Sequence, residues 1–182
     1  FHSYPYTSQA SQENVKEIVK ALTKFQYRST LIYVPFLEIQ KTITAASIPE
    51  GLRVVLYRRF MMRIAQRVAA QEECRALVTG DSLGQVASQT LENIAAISAV
   101  VTMPIFRSLI GENKDDIIAT ATTFGTAAIS AQPYEDCCSL FVPEHPETRA
   151  NIREVERCET KLEIEKLMGD ALTGMTREEI IV

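Results

Sequence analysis

The stretch that most constrains the fold of this chain is residues 77–94, which read LVTGDSLGQVASQTLENI. A short apolar strand at 76–78 leads into small polar residues and two glycines, Gly80 and Gly84, before a helix with apolar residues at helical spacing. Such a loop leaves backbone N–H groups unpaired at the start of a helix, which is where nucleotides and phosphates bind in open α/β sheets. The spacing is equally compatible with a turn that binds nothing.

The rest of the chain alternates helical and strand-like patterns. Helical periodicity predicts helices at 11–25, 37–44, 52–71, 88–99, 114–124 and 152–168, with a further short helix in the tail to Val182. Apolar and β-branched runs predict strands at 30–36, 76–78 and 104–107. This alternation predicts an α/β fold with a three-layer, open, mainly parallel sheet that carries helices on both faces.

Length and composition limit the classes of function. A chain of 182 residues is long enough for one domain with its own core. The net charge of −4 creates no global positive field, so RNA binding would need a local patch or another domain. No apolar run approaches the roughly 20 residues of a membrane span, and we expect no membrane partner. Four cysteines without a CxxC pair or zinc spacing favour reduced thiols in the cytoplasm.

The longest predicted helix, 52–71, has an apolar face and a basic face. The residues expected to point inward are Val55, Leu56, Phe60, Ile64 and Val68. The basic set is Arg53, Arg58, Arg59, Arg63 and Arg67. Taken alone, such a set is usually a solvated face.

Four segments together resemble a known family. They are FHS at Phe1, RRFMMRIA at Arg58, VTGDSLGQVASQTLENI at Val78 and PYEDCCSLFVP at Pro133. They resemble the C-terminal catalytic part of the bacterial tRNA 4-thiouridine synthetases, or tRNA sulfurtransferases, which are also linked to thiamine thiazole biosynthesis. That part is an ATP-pyrophosphatase domain of the adenine nucleotide alpha-hydrolase type. The resemblance implies such a domain at 1–148, followed by a C-terminal helical extension at 149–182.

The resemblance also implies a reaction and its partners. In the family, ATP adenylates a carbonyl oxygen of a tRNA uridine, and sulfur from a persulfide then displaces AMP. We therefore expect ATP with Mg²⁺, tRNA, and a persulfide donor such as a cysteine desulfurase as ligands and partners. A homodimer is possible, and the resemblance does not decide it. No resident metal site is predicted from the two histidines. Asp81 could help to hold Mg²⁺ on the phosphates or cap its own loop.

Four residues match nucleotide contacts of the family. Phe1 matches the aromatic position that holds the adenine, and Arg58 matches the arginine that contacts the nucleotide. Gly80 matches the glycine of close approach, and Gln89 matches the glutamine of the SQT run. The residue types suit these roles, because glycine lets a ligand come close and arginine neutralises phosphate charge.

The family carries an essential cysteine in the segment that matches PYEDCC. This segment offers Cys137 and Cys138, and the resemblance does not decide between them. Two acidic residues precede the pair and would disfavour a thiolate. The alternative is a structural pair of thiols, or a disulfide with Cys74 or Cys158, both of which we expect to be inert.

The chain departs from the family pattern in one respect. The family's pyrophosphate-binding loop, SGGxDS after the first strand, does not occur in the sequence. We therefore expect a fragment that begins at the second strand and does not turn over ATP alone, because that loop supplies the N–H groups around the pyrophosphate. Two alternatives stay open: a non-catalytic nucleotide-binding module, and a different ATP-pyrophosphatase chemistry.

Overall fold

The computed structural model of the chain describes residues 1–133 and 141–181. The helices are α1 (Gln9–Gln26), α2 (Leu37–Ala45), α3 (Arg53–Gln71), α4 (Leu91–Ser98), α5 (Lys114–Thr123), α6 (Ala127–Ser130), α7 (Ile152–Glu159) and α8 (Ile164–Thr173). The strands are β1 (Arg28–Tyr33), β2 (Leu77–Val78), β3 (Ile105–Phe106) and β4 (Thr176–Ile181). Short 3-10 turns lie at Glu50–Leu52 and Ala87–Gln89. These residues form two compact units, one of 1–37, 113–133 and 174–181, the other of 38–112 and 141–173.

The first unit is built on the antiparallel pair of β1 and β4, in which Tyr33 lies opposite Thr176. Helix α1 packs against both strands. Lys16 on α1 forms an ion pair with Glu178 on β4 at 2.6 Å, and the Tyr33 hydroxyl donates to the same carboxylate. Side chains from α1, β1 and β4 therefore meet on one glutamate.

The predicted helix in the tail is wrong, because Thr176–Ile181 forms strand β4. The sequence TREEII is locally ambiguous, since Arg and Glu favour helix while Thr and Ile favour strand. Ile180 is 9% exposed and Ile181 is 69% exposed, which is the alternation of a strand with one buried face. Pairing with β1 decides the outcome. The division of the chain at 148 and 149 stays a prediction.

The second unit is built around α3, which packs against α4, α7, α8 and β2. Four of the five residues predicted to point inward, Val55, Leu56, Phe60 and Ile64, are at most 1% exposed, which confirms the apolar face. Val68 is half-buried. This helix supplies the rigid element from which several arginines project.

The helix predicted at 152–168 is divided into α7 and α8. Helix α7 ends in a tight turn, in which the N–H of Lys161 donates to Cys158 and that of Leu162 donates to Glu159. The break buries Leu162, which is 8% exposed, and starts a new helix at Ile164. A continuous helix would keep the periodicity of α7 and present a different face at that point.

Strands β2 and β3 pair in parallel, with Leu77 opposite Ile105 and Val78 opposite Phe106. This parallel pair, within a chain of alternating helices and strands, confirms the α/β class. Each strand is only two residues long, shorter than the sequence predicts. In the part of the chain that the structure describes, we find no helix with the length and apolar character needed to cross a membrane.

Candidate functional site

The loop that follows β2 is fixed to the segment that follows β3. The Thr79 N–H donates to the carbonyl of Phe106 at 3.0 Å, which continues the parallel pairing by one residue. Further along, the Ser82 hydroxyl donates to the carbonyl of Glu112 at 3.1 Å. The loop then reaches α4, whose first turn is capped by the Thr90 hydroxyl. The carboxyl ends of the two parallel strands, where ligands bind in this class of fold, therefore carry one ordered loop.

Asp81 is the charged centre of this loop and is only 4% exposed. One oxygen accepts a hydrogen bond from Arg58 on α3. The other accepts from the Thr79 hydroxyl at 2.7 Å and from Nε of Arg107 at 3.1 Å. Burial opposes ionisation, but the hydrogen bonds from Thr79, Arg58 and Arg107 outweigh it and hold the pKa of the carboxyl below its usual value. The carboxylate is therefore charged and shared by two arginines.

Arg58 links Asp81 to the segment before α4. Its Nη1 donates to the carbonyl oxygen of Ser88 at 3.2 Å and lies 3.4 Å from the Ser88 hydroxyl. Asp81 and Ser88 are the chain neighbours of Gly80 and Gln89. The structure thus brings three of the four predicted nucleotide contacts into one cluster, and their role in binding stays a prediction.

Gly80 lies on the surface of this cluster. A Cβ atom added at Gly80 would meet nothing within 4 Å, and its φ is outside the left-handed region. Gly84, by contrast, has a φ of 77°, which favours glycine for the turn itself. The described fold therefore does not require glycine at position 80, and the space above it is open to a ligand.

Gln89 ends the short turn before α4, and its carbonyl accepts from the N–H of Gly84 at 2.9 Å. The segment is anchored by Asn93, which is fully buried and donates to the carbonyls of Ala87 at 2.8 Å and Glu147 at 2.7 Å. The side-chain oxygen of Asn93 accepts from the N–H of Ala150 at 2.9 Å. One buried amide therefore joins the Gln89 segment to the chain at 147–150.

Phe1 belongs to the first unit and is 41% exposed. Its ring packs edge-on against Phe36, with ring centroids 5.4 Å apart. His2 fixes the position, because its N–H donates to Val34 and its carbonyl accepts from Phe36 in a parallel bridge. An exposed aromatic face at this point is compatible with stacking on a base, and the convergence of Phe1 with Arg58 stays a prediction.

Cys137 and Cys138 lie outside the described residues. The other two cysteines are free thiols. Cys158 on α7 is 5% exposed, and burial raises the pKa of its thiol. Cys74 is exposed and lies three residues after the end of α3. A buried thiol with a raised pKa is a poor nucleophile, in keeping with the expectation that Cys158 is inert.

The solvated-face interpretation of the arginines on α3 is wrong for Arg59, which is 2% exposed. Its guanidinium donates to both oxygens of Glu159 at 2.8 Å each, and to the carbonyl of Ala96. Arg63 donates to the same carboxylate at 2.6 and 2.8 Å. Two arginines of α3 therefore hold α7 through one buried glutamate.

Sequence reasoning missed Arg107, Ser88 and Asn93. Arg107 directly follows β3. Because ligands bind at the carboxyl ends of parallel strands, its position in the sequence could have identified it as a site residue. Asn93 carried no such signal, because a buried asparagine on a helix looks like any polar residue in the sequence. Within the described ranges 1–133 and 141–181, no group of three His, Cys, Asp or Glu side chains could hold a metal ion.

Comparison with known proteins places the chain in a family. The family described as "Thiamine biosynthesis protein (ThiI)" matches residues 1–164. A "Probable tRNA sulfurtransferase" of Thermus thermophilus is 49% identical over 172 residues, which are 94% of this chain and 42% of that protein. A protein of the same name from Treponema pallidum is 46% identical over 180 residues, 99% of this chain and 45% of that protein.

A solved structure gives the same answer for the fold. It is described as the crystal structure of a 4-thiouridine synthetase–RNA complex with bound ATP, and matches with a TM-score of 0.93 at 36% identity. The match covers 99% of this chain and 47% of the other. The chain spans about half the length of the curated relatives it matches. Because the family match extends over residues 1–164, the chain belongs to the thiamine biosynthesis protein (ThiI) family.

Proposed function

We propose that this chain is the nucleotide-binding part of an ATP-dependent tRNA sulfurtransferase that forms 4-thiouridine. The observation that carries the proposal is the match, at a TM-score of 0.93 over 99% of the chain, to a 4-thiouridine synthetase solved with RNA and ATP. The family's name also links the chain to thiamine biosynthesis. We assign the reaction to the cytoplasm, where tRNA and reduced thiols are found.

The reaction has two steps. The carbonyl oxygen of a tRNA uridine attacks the α-phosphorus of ATP, and pyrophosphate leaves with the electron pair of the broken P–O bond. The outer sulfur of a persulfide, supplied by a donor such as a cysteine desulfurase, then attacks the ring carbon, and AMP leaves. A thiol attacks the inner sulfur, so that a disulfide forms and 4-thiouridine leaves with the electron pair of the broken S–S bond. Adenylation turns a poor leaving oxygen into a good one, so the enzyme's main task in the first step is to position ATP against the base.

Four residues have proposed roles in holding ATP. Phe1 stacks on the adenine, Gly80 lets the nucleotide approach the backbone, and Gln89 donates a hydrogen bond to it. Arg58 offsets phosphate charge from the cluster around Asp81. Support comes from the open space at Gly80 and from the contact of Arg58 with Ser88, next to Gln89.

The test compares two arginines of the same helix in the full-length protein. Arg58→Gln should weaken ATP binding by roughly ten- to a hundredfold, the usual effect of losing a hydrogen bond to a charged group. The matched control is Arg67→Gln, because the Arg67 side chain is 55% exposed and its ion pair among the described residues is with the exposed Glu165. Titration calorimetry with ATP measures the affinity, and mass spectrometry of hydrolysed tRNA measures 4-thiouridine. Equal affinities in the two variants would remove Arg58 from the site.

For the sulfur step we propose that the thiolate of Cys137 or Cys138 attacks the outer sulfur of the donor persulfide, and that the donor leaves as a thiolate. After the sulfur has passed to the base, a second thiol attacks the sulfur of that cysteine, and the resulting disulfide is reduced by an external thiol before the next turnover. The support is the match of the PYEDCC segment to the family's cysteine-bearing segment. Replacing each cysteine by serine in the full-length protein, with Cys74→Ser as the exposed control, separates the two. Loss of 4-thiouridine with retained ATP consumption in one variant identifies the sulfur carrier. Normal thiolation in both single variants and in the double variant would make the pair structural.

A further inference from the structure

Arg107 shares the buried carboxylate of Asp81 with Arg58. Its Nε donates to Asp81 at 3.1 Å, and its Nη2 donates to the hydroxyl of Ser98 on α4 at 2.6 Å. The Arg107 side chain is 17% exposed, the same fraction as that of Arg58. The loop after β2 and helix α4 therefore hold this guanidinium in a fixed orientation.

The charges in this cluster do not balance. Asp81 contributes one negative charge, while Arg58 and Arg107 contribute one positive charge each, so two minus one leaves a net positive charge. A guanidinium has five N–H donors. Among the described residues, Nη1 of Arg107 donates to no partner, and it is not among the buried atoms left without one. A charged donor thus remains available to an anion.

The position of Arg107 follows from the strand register. Val78 lies opposite Phe106, so Arg107 is the neighbour of Thr79 and lies next to the loop position of Gly80. Gly80 is exposed, with nothing within 4 Å of an added Cβ. An anion that approaches the backbone at Gly80 therefore comes to the edge of the strand pair from which Arg107 extends.

We propose that Arg107 is a second phosphate-binding residue of the nucleotide site, with Asp81 as the carboxylate that positions both Arg107 and Arg58. The proposal rests on the proposed ATP-dependent function. A guanidinium fork suits a phosphate group, since it offers two parallel N–H donors to two oxygens. A nucleotide phosphate fits better than an RNA backbone, because the excess is one charge beside a single open glycine and not an extended basic surface.

The alternative is that Arg107 only braces Asp81, and a set of three ligands distinguishes the two roles. Dissociation constants for ATP, AMP and adenosine are measured with the full-length protein, its Arg107→Gln variant and the Arg67→Gln control. Loss of a phosphate contact should weaken ATP and AMP by roughly ten- to a hundredfold and adenosine by less than about threefold. A brace alone would act on the phosphates only through Asp81 and Arg58, so Arg107→Gln would then cost no further ATP affinity in the Arg58→Gln background. That result, or equal changes in all three affinities, overturns the proposal.

Two further measurements keep the result unambiguous. Arg107→Lys retains the positive charge but not the two parallel N–H donors, so it should still lose ATP affinity relative to adenosine affinity. If Arg107→Gln does not fold, an unchanged ratio of the ATP and adenosine affinities in Arg107→Lys overturns the proposal. If instead tRNA binding falls and its salt dependence drops by about one phosphate contact while ATP affinity is unchanged, Arg107 serves RNA and the proposal fails. If the parent protein binds neither ATP nor AMP, the proposed function itself is refuted. If the parent and the Arg107→Gln variant bind ATP with equal affinity, only the role of Arg107 is refuted.

Discussion

Glu159 should be one of the most sensitive single positions for stability in the second unit. Its carboxylate is 6% exposed and accepts four hydrogen bonds, two from Arg59 and two from Arg63, at 2.6 to 2.8 Å. Glu159→Ala removes all four and leaves Arg59, itself 2% exposed, without a counter-charge. An unpaired buried charge is far more costly than an absent pair.

The expected size of the effect follows from this burial. Removing one partner of a buried ion pair costs about 3–5 kcal/mol. In a protein of this size, each kcal/mol lowers the melting temperature by about 2–4 °C, so Glu159→Ala should lower it by roughly 6–20 °C. Urea unfolding followed by circular dichroism, together with thermal unfolding, measures both quantities.

The control is an exposed ion pair that joins α3 to α8. Glu165 accepts from Arg67 at 3.0 Å, and their side chains are 77% and 55% exposed. Glu165→Ala should change the unfolding free energy by no more than about 1 kcal/mol. A double variant, Arg59→Met with Glu159→Leu, should be less destabilised than Glu159→Ala alone, because the fully buried charge of Arg59 is removed and only Arg63, which is 18% exposed and can reach water, loses its partner. Equal losses for Glu159→Ala and Glu165→Ala would refute the reasoning.

The same carboxylate makes stability depend on pH in a defined direction. Burial opposes its ionisation, but the hydrogen bonds from Arg63 and Arg59 outweigh burial and hold the pKa of Glu159 below the usual value of 4.5. The stabilisation is therefore complete above about pH 4.5, the value in the unfolded chain, and is lost as the pH falls from there through the folded pKa. The difference in stability between the parent and Glu159→Ala should shrink over that range and stay constant above it.

Three other outcomes are expected. Asn93→Ala should cost roughly 2–4 kcal/mol in urea unfolding, because the hydrogen bonds of a fully buried amide to three backbone groups are lost. Gly80→Ala should leave the unfolding free energy within about 0.5 kcal/mol, since the added Cβ meets nothing, and should weaken ATP binding. Cys158 should react with iodoacetamide more slowly than exposed Cys74 in mass-spectrometric trapping, because it is buried with a raised pKa. A stable Asn93→Ala, an unstable Gly80→Ala or equal thiol rates would contradict the respective reason.

What the sequence could predict were features encoded locally. The apolar face of α3 and the loop after β2 follow from periodicity and from turn chemistry within a few residues. The resemblance was sufficient to identify the family, because the motifs that the chain shares with it are long and specific. Strand β4 was missed since its partner, β1, lies far away in the chain, and local propensity left TREEII undecided.

The arginines of α3 show the same limit on a smaller scale. Periodicity separated them from the apolar face, and a charged residue outside that face is usually solvated. Arg59 is buried because Glu159, 100 residues further on, supplies a carboxylate against the helix. No property of the segment around Arg59 distinguishes it from Arg67. A pairing partner that is distant in sequence must be found in three dimensions.

Asp81 is the position at which this limit matters most for chemistry. The sequence left two roles open, a ligand of Mg²⁺ or a cap of its own loop, because the partners of a carboxylate come from other segments. In the structure, Thr79, Arg58 and Arg107 occupy both oxygens. A Mg²⁺ ion that arrives with ATP would have to displace an arginine and would stand beside two positive charges, which repel it. We infer that Asp81 orients cationic side chains of the protein toward an anionic ligand and is not a ligand of Mg²⁺.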